Sequence, residues 1–276
     1  MRTPAQNAEL ALLLEVASTP KPGNVDRHRD HADLRFEHFL AGAVGAQNGL
    51  QLAAAGEPLG HAFERAVAGM AEQRGGNTQF GALHLLVPLV RTATGEFSPA
   101  AAKRLVRDTT VEDAANFYRA FEHVDVFVSD PPADADDLDV RRGRRAIPTL
   151  EARELTLYDI MKMSAPTDGV AKEWTTGFER SFAGAERLRR LDGPVTDRAA
   201  QVFLELLADE PDTFVEKHHG REVAEEASES AQAYLRRKAD PEKLADQFVK
   251  EGINPGTTAD IVAAALFIAL ERGVKV

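Results

Sequence analysis

The stretch INPGTTADIVAAALFIAL, from Ile253 to Leu270, decides the fold class. Its apolar run, Ile261 to Leu270, is about half as long as the roughly 20 residues that span a bilayer, so it predicts a buried helix rather than a membrane segment. A helix that is apolar almost all round belongs in the core of a protein. The Pro-Gly turn before the run marks where this helix begins, and Asp260 is expected in its first turn.

Amphipathic helical spacing recurs through the rest of the chain. Apolar side chains repeat every three or four residues in six stretches, which predicts a helix with one buried face for each: Leu10 to Ala17, Phe39 to Ala46, Phe63 to Met70, Asp197 to Leu207, Arg221 to Arg237 and Pro241 to Lys250. Thr110 and Asp113 have the spacing of a capping box ahead of another helix. We therefore predict an all-α fold, a single compact multi-helix domain over residues 1–276 with polar turns at helix ends.

Three segments are predicted to interrupt the helices. Val124 to Val128 alternates like a strand, although a short extended connector explains it equally well. Asp130-Pro131-Pro132 ends that segment, and Pro131 to Pro148 has the Pro content and charge runs of a loop. Pro88 is expected to end or kink its helix, because proline lacks the N–H that an internal helical position donates.

Composition and charge exclude several classes of protein. The 276-residue chain has no cysteine, which rules out a disulfide framework and a thiolate metal site or nucleophile. Its formal net charge of −11 argues against sequence-independent binding of nucleic acid, which needs a basic face. The first residues lack the pattern of a signal peptide. We expect a soluble, cytoplasmic protein that binds a small molecule rather than nucleic acid or membrane, and that forms either a monomer or a homo-oligomer.

The first polar turn is TPKPGNVDRHRDHADL, from Thr19 to Leu34. Lys21 is held between two prolines, and a lysine on such a rigid turn can pair with phosphate as a point charge. Gly23 permits a backbone conformation that is closed to other residues. Three side chains that follow at short spacing could converge on a metal–phosphate group: Asp26, His31 and Asp33. A Pro-rich helix connection with solvated charges explains the same residues.

The second polar turn is GGNTQFG, from Gly75 to Gly81, ahead of an apolar run. Asn77 or Thr78 would cap the helix there, and the free N–H groups at such a helix end also form a natural anion site. It is not a P-loop, because no Gly-Lys-Ser/Thr follows. An ordinary helix start is the alternative, and His84 on the apolar face is interpreted as a packed core histidine.

Two further groups of polar residues lie near the C-terminus. Thr257, Thr258 and Asp260 either present ligands at the mouth of the core helix or simply favour its dipole. Lys217 and His218 lie in the turn Lys217-His218-His219-Gly220, which either caps a helix or supplies cations to a triphosphate. Four arginines could grip a polyphosphate, but a solvated charge run that balances the acidic loop is the favoured explanation: Arg141, Arg142, Arg144 and Arg145.

Together, in this order, these turns resemble the triphosphoribosyl-dephospho-coenzyme A synthase family. The resemblance runs from about Leu10 to Leu270 and rests on four blocks: Glu15-Val16 with Thr19-Pro20-Lys21-Pro22-Gly23, Val25-Asp26, His31 and Asp33; Gly76-Asn77-Thr78 with Gly81; Asp212-Thr213 with Lys217, His218 or His219 and Gly220; and Pro255-Gly256 with Ala259-Asp260. It implies an all-α transferase that uses ATP and dephospho-coenzyme A and releases adenine. Where the bacterial enzymes carry Asn-Thr-His-Lys-Gly, this chain has Gln79-Phe80 in place of His-Lys, as in a divergent archaeal-type branch.

The reaction implied by the resemblance is displacement at the anomeric carbon of ATP, through a transition state like that of glycoside cleavage, which calls for carboxylates near the sugar. We predict three groups of site residues: Asp33, His31 and Glu15 for catalysis; Asp26 and Asp260 for Mg²⁺; and Lys21, Gly23, Asn77, Thr78, Lys217, His218, Thr257 and Thr258 for the nucleotide. The alternatives are a related transferase acting on a methanopterin-like one-carbon carrier and a non-catalytic helical module that binds a nucleotide.

Overall fold

The computed structural model describes residues 2–128, 136–237 and 240–276, and the described residues form helices without a strand. In chain order the α-helices are α1 (Pro4–Ala17), α2 (Phe36–Gly45), α3 (Gln47–Ala55), α4 (Leu59–Met70), α5 (Phe80–Ala93), α6 (Pro99–Arg107), α7 (Val111–Ala120), α8 (Ile147–Ala152), α9 (Leu157–Ser164), α10 (Gly169–Thr176), α11 (Glu179–Arg190), α12 (Val195–Asp209), α13 (Thr213–His219), α14 (Arg221–Arg237), α15 (Pro241–Glu251) and α16 (Gly256–Glu271). The predicted all-α class is confirmed.

Helix α16 is the centre of the core, as its apolar run predicts. Every residue from Ile261 to Leu270 is 5% exposed or less. Six helices pack around it, namely α1, α5, α10, α11, α12 and α13. One apolar core runs from Ala5 at the start of α1 to Leu270 at the end of α16, so the chain packs as a single helical domain. The placement of Asp260 in the first turn is wrong: the helix begins at Gly256, which makes Asp260 its fifth residue.

The six stretches with helical spacing all fall in helices, and the capping box is confirmed. Thr110 Oγ1 accepts from the N–H of Asp113 at 3.1 Å, and Asp113 Oδ2 accepts from the N–H of Thr110 at 2.8 Å. Helix α15 begins at Pro241, as expected for a residue whose missing N–H would have no helical partner.

Of the two expectations for Pro88, an end or a kink of its helix, the end is wrong, because α5 continues to Ala93. Proline removes the N–H that would bond to the carbonyl four residues earlier, which belongs to His84. That carbonyl instead accepts from the indole N–H of Trp174 at 3.1 Å. A side chain of α10 thus replaces the missing helical hydrogen bond, so the helix tolerates its proline.

The segment between α7 and α8 contains the connector that was one of the two expectations, and two 3₁₀ segments replace part of the predicted loop. Val124 to Val128 is a connector without strand pairing. Asp130-Pro131-Pro132 and residues 131–135 of the predicted loop Pro131 to Pro148 lie outside the described residues. The remainder forms two 3₁₀ segments, Asp136–Leu138 and Val140–Ala146, and the start of α8. The Asp139 side chain caps the second segment by accepting from the N–H of Arg141 at 2.8 Å.

No described helix is long and apolar enough to cross a bilayer.

The helices in the N-terminal half approach closely because small residues face one another. A Cβ on Gly49 of α3 would lie 2.2 Å from the backbone nitrogen of Ala66 and 2.4 Å from the carbonyl oxygen of Ala62, both in α4. The glycine therefore sets the distance between α3 and α4.

We expect Gly49→Ala to lower the free energy of unfolding by about 1–3 kcal/mol, because the added methyl overpacks a backbone contact. Urea unfolding followed by circular dichroism measures this. Gly95→Ala is the matched control, since a Cβ at Gly95 meets no atom within 4 Å. Equal stability of the two variants would show that α3 and α4 are not packed as described.

Candidate active site

A cavity of about 580 Å³ lies where the beginnings of α5, α10, α13 and α16 converge. Helix α7 and the end of α9 complete its walls. Its lining includes the turn residue Asn77, Lys217 of α13, and both Thr257 and Asp260 of α16. Pockets of this size hold small-molecule ligands and cofactors. The polar ends of otherwise apolar helices therefore meet around one space.

Asp212 fixes the junction of α13 and α16 below this cavity. One carboxylate oxygen caps α13 by accepting from the N–H groups of Phe214 at 2.8 Å and Val215 at 3.1 Å. The other accepts from both the N–H and the hydroxyl of Thr258, each at 2.7 Å. Burial raises the pKa of Asp212, while these hydrogen bonds counteract the rise. Asp212 thereby ties the two helix beginnings together.

A second bridge adds α10 to the same junction. Thr213 Oγ1 accepts from the N–H of Gly169 at 3.0 Å and lies 3.0 Å from Thr257 Oγ1. Asp168 caps α10 through the N–H of Ala171 at 2.8 Å. Protein side chains thus accept hydrogen bonds from N–H groups at the beginnings of α10, α13 and α16.

Four charged side chains line the cavity: Asp139, Asp168, Lys217 and Asp260. Two of the carboxylates have cationic partners, since Asp168 pairs with Lys217 and Asp139 pairs with Arg141. The charge of Lys217 helps to hold the pKa of Asp168 below its usual value despite burial. Asp260 differs from both, because no ion pair to it is present among the described residues.

Asp260 has a pKa raised well above the ordinary value. Burial is the largest cause, followed by the negative charges of Glu15 and Asp212, and a hydrogen bond from the N–H of Ala82 acts in the opposite direction. The carboxylate fits against α5 only because residue 81 is a glycine: a Cβ on Gly81 would lie 2.0 Å from Asp260 Oδ2. Carboxylates whose pKa is shifted in this way are concentrated at functional sites.

The inner wall of the cavity is aromatic. His84 stacks on Phe117 with ring centroids 4.8 Å apart, and Phe80 contacts Phe121 at 4.8 Å. Burial lowers the pKa of His84 to about 3, so the ring is neutral, and its buried Nε2 has no hydrogen-bond partner. The interpretation of His84 as a packed core histidine agrees with this burial, although the ring also lines the cavity.

The first polar turn lies outside the cavity lining. Lys21 is fully buried, where it pairs with Glu15 and donates to Asn24 Oδ1 at 2.9 Å. Burial is the main reason why the pKa of Glu15 is raised, with the charge of Lys21 acting against it. The ion pair with Glu15 thus occupies the ammonium group of Lys21, which the sequence analysis predicted to pair with phosphate.

Asp26 is likewise fully buried and committed to protein contacts. It accepts from the Thr19 hydroxyl at 2.9 Å and from the N–H of His28 at 2.8 Å, and it contacts the Arg29 guanidinium at 3.4 Å. No group of three or more His, Asp or Glu side chains in the described ranges is arranged to hold a metal ion. The joint Mg²⁺ site predicted for Asp26 and Asp260 therefore has no structural support at Asp26.

The first turn instead supports the beginning of α16 from behind. Asn24 Nδ2 donates to Asn254 Oδ1 at 3.0 Å. Gly23 has a φ of +74°, and a Cβ there would lie 1.8 Å from the carbonyl oxygen of Ile253. His31 Nε2 lies 2.9 Å from the carbonyl oxygen of Gly23, whereas Asp33 is exposed.

The structure thus divides the predicted site residues into groups. Four line the cavity: Asn77, Lys217, Thr257 and Asp260. The others are Glu15, Lys21, Gly23, Asp26 and Thr258, which are buried behind it; Thr78, whose buried hydroxyl has no partner; and His31, Asp33 and His218, which do not line it. Sequence reasoning missed Asp168, whose place before Gly169 is the pattern of a helix cap.

The comparisons with known proteins agree with this geometry. The model of the ATP:dephospho-CoA triphosphoribosyl transferase family matches residues 1–275. The chain belongs to this family. Its members transfer the triphosphoribosyl group of ATP to dephospho-CoA, so the chain is a transferase. The chain is also similar to the crystal structure of an Archaeoglobus fulgidus protein named as a triphosphoribosyl-dephospho-CoA synthase, with 30% sequence identity and a TM-score of 0.71. The match covers 87% of this chain and 100% of the Archaeoglobus fulgidus chain. No curated protein matches the chain.

The departure from the bacterial transferase motif has a structural consequence. Gln79 is 3% exposed and lies beside Gly42 of α2, with neither amide atom hydrogen-bonded. Phe80 lines the cavity and packs edge-on against Phe63 at 5.1 Å. The position where the bacterial enzymes carry lysine is therefore an apolar part of the cavity wall in this transferase.

We expect Asp212→Ala to lower the free energy of unfolding by about 2–4 kcal/mol, because it removes a helix cap and the bonds to Thr258 together. Asp240→Ala is the matched control: Asp240 caps α15 at an exposed site, where about 1 kcal/mol is expected. Denaturant titration measures both variants. A loss for Asp212→Ala no larger than for the control contradicts the role of Asp212 as the junction of two helices.

The raised pKa of Asp260 predicts how stability depends on pH in the ligand-free transferase. Between the ordinary value of 3.8 and the raised value, the folded state holds a proton that the unfolded state has lost, so rising pH destabilises the fold. Asp260→Asn removes this contribution. We expect the variant to be more stable than the unaltered chain above pH 3.8, with a difference that grows as pH rises, whereas exposed Asp192→Asn has no such effect. Thermal unfolding midpoints across pH measure this, and parallel curves for Asp260→Asn and the unaltered chain would contradict the assignment.

Proposed function

We propose that the cavity binds ATP and the acceptor together, and that the triphosphoribosyl group is transferred there to a hydroxyl of dephospho-CoA or a related acceptor. The observation that carries this proposal is the meeting of an unpaired carboxylate, a lysine and an aromatic wall in one cavity. The acceptor oxygen forms a bond to C1′ of the ribose while the bond from C1′ to N9 of adenine breaks. The hydroxyl proton passes to a carboxylate, and adenine leaves with the bonding electron pair.

The inner aromatic wall suits the adenine ring of ATP. Purines stack on aromatic side chains, and Phe80, Phe117 and His84 offer such surfaces at the inner end of the cavity. A neutral His84 adds a polar ring without a charge that would have to be desolvated. ATP bound in this way extends its triphosphate toward the beginning of α13 and Lys217.

The charge balance of the lining fits a triphosphate that enters with a divalent cation. Three carboxylates and one ammonium line the cavity, so they would repel a bare triphosphate. Mg²⁺ in nucleotide sites commonly uses one or two carboxylates together with substrate phosphates. Asp168 would hold the ion with the phosphates while Lys217 pairs with a phosphate, and the ion supplies charge neutralisation.

Asp260 is the proposed proton acceptor. Among the charged lining residues it is the carboxylate without an ion pair, and its raised pKa makes the carboxylate a stronger base than an ordinary aspartate. The exposed Asp33, to which sequence reasoning gave this role, does not line the cavity. The Glu15–Lys21 pair acts indirectly, because the negative charge of Glu15 contributes to the raised pKa of Asp260.

We expect Asp260→Asn to lower the rate of adenine release by about 10²–10⁴-fold while ATP binding is kept. Chromatography of free adenine after incubation with ATP, Mg²⁺ and dephospho-CoA measures the rate, and calorimetry measures ATP affinity. Asp192→Asn, at an exposed position away from the cavity, should match the unaltered enzyme. Full turnover by Asp260→Asn would remove Asp260 as the base, and a selective loss of Mg²⁺-dependent ATP affinity would assign it to the metal instead.

We expect Lys217→Met to weaken ATP binding by about 10–150-fold, the range for a lost hydrogen bond to a charged group. Lys172→Met is the matched control, because Lys172 pairs with Glu210 on the surface and does not line the cavity. Unchanged ATP affinity in Lys217→Met would place the triphosphate elsewhere.

Phe80 in place of lysine is the observation that favours testing a second acceptor. Adenine release only with a methanopterin-like one-carbon carrier precursor would identify a related transferase. ATP binding without product from either acceptor would identify a non-catalytic nucleotide-binding module and end the proposed function.

A further inference from the structure

Two exposed apolar side chains stand at the mouth of the cavity. Phe127 is 49% exposed and Met163 is 47% exposed, and both belong to the cavity lining. Among the described residues the other large apolar side chains with comparable exposure are Val44 and Val276. Exposed apolar side chains in the lining of a cavity are candidates for contact with a ligand.

The ring of Phe127 already lies in a stack. Its centroid is 3.7 Å from that of His218, with 27° between the ring planes, and His218 is 4.1 Å from Phe214. His218 Nδ1 lies 2.9 Å from the carbonyl oxygen of Phe214. Because a carbonyl only accepts, Nδ1 carries a hydrogen and donates it, which fixes the orientation of the imidazole ring. His218 therefore presents its ring face to Phe127.

The reaction needs two separate places for planar rings. In the proposed displacement the entering oxygen and the leaving adenine lie on opposite faces of C1′, so the adenine of the donor and the adenine of dephospho-CoA cannot share one pocket. Two aromatic groups match this need: the inner wall of Phe80, Phe117 and His84, and the outer stack, in which the lining residue Phe127 stacks on His218 outside the lining. The outer stack is at the entrance, which the acceptor must reach while ATP occupies the inner end.

We propose that the stack of Phe127 on His218 is the platform on which the adenine ring of the acceptor nucleotide stacks. This inference rests on the proposed function, because it assigns the second substrate of that reaction to a subsite. It makes Phe127 and His218 residues that select for an acceptor with a planar heteroaromatic ring. The predicted nucleotide-binding role of His218 then belongs to the acceptor rather than to the triphosphate.

We expect Phe127→Leu to raise the KM for dephospho-CoA by about 5–150-fold, the range for loss of stacking by one base, with the KM for ATP unchanged. Phe127→Tyr should restore the KM, because it keeps the ring. Val44→Ala is the control, since it shortens an apolar side chain of similar exposure that does not line the cavity. The chain has a single tryptophan, and Trp174 packs against His84 at 4.6 Å, so its fluorescence reports ATP binding at the inner wall independently of turnover.

Two outcomes overturn the platform: a raised KM or weakened Trp174-monitored affinity for ATP in Phe127→Leu, or an unchanged KM for dephospho-CoA. Calorimetry separates this failure from failure of the proposed function. This test holds even if the unaltered chain releases no adenine. The unaltered chain must bind dephospho-CoA more tightly than the Phe127→Leu variant does. Both chains must bind 4′-phosphopantetheine, which lacks adenine, with equal affinity. Equal binding of dephospho-CoA to both chains ends the inference.

Discussion

The Asp212 carboxylate is the contact on which the candidate site depends. Its two oxygens hold the beginnings of α13 and α16, and the Thr213 hydroxyl extends the junction to α10. The first N–H groups of a helix have no partner within that helix. Three helix beginnings therefore converge at a low cost in free energy only when buried acceptor atoms form hydrogen bonds with those N–H groups. Asp212 serves as such an acceptor, and it thereby fixes where Asp260 and Lys217 stand relative to each other.

The site follows from the polarity of α16 along its own length. From Ile261 onward the helix is apolar and surrounded by six other helices, whereas its first turn carries Thr257 and Thr258. Asp260 lies at the boundary, where burial and neighbouring carboxylates disfavour its charge. The core helix is therefore the centre of the fold and also carries the residue that we propose as the base. In the proposed mechanism the base thus stands on a helix that packing holds in place.

The electrostatics of the site are those of an acidic cavity in an acidic protein. Lys21, the lysine on the family's most specific motif, neutralises Glu15 behind the site, and Lys217 faces the cavity in a pair with Asp168. At the place where the bacterial motif has lysine, this chain has Phe80, an aromatic residue of the cavity wall. These facts explain why we assign recognition to ring stacking and to a cation-bearing triphosphate, rather than to a basic patch.

The sequence by itself determined the helical class, the buried helix after Pro255-Gly256 and the family, because apolar periodicity and short motifs are local properties. It also singled out Asn77, Lys217, Thr257 and Asp260, which line the cavity. Only the tertiary structure decided that Lys21 and Asp26 are buried supports, since their partners and burial depend on packing. Pro88 within α5 illustrates the same limit. The indole N–H of Trp174, which replaces the hydrogen bond that Pro88 cannot donate, comes from α10, 86 residues farther along the chain. Spacing records which residues share a turn, whereas long-range contacts decide which polar groups are already satisfied and which remain available to a substrate.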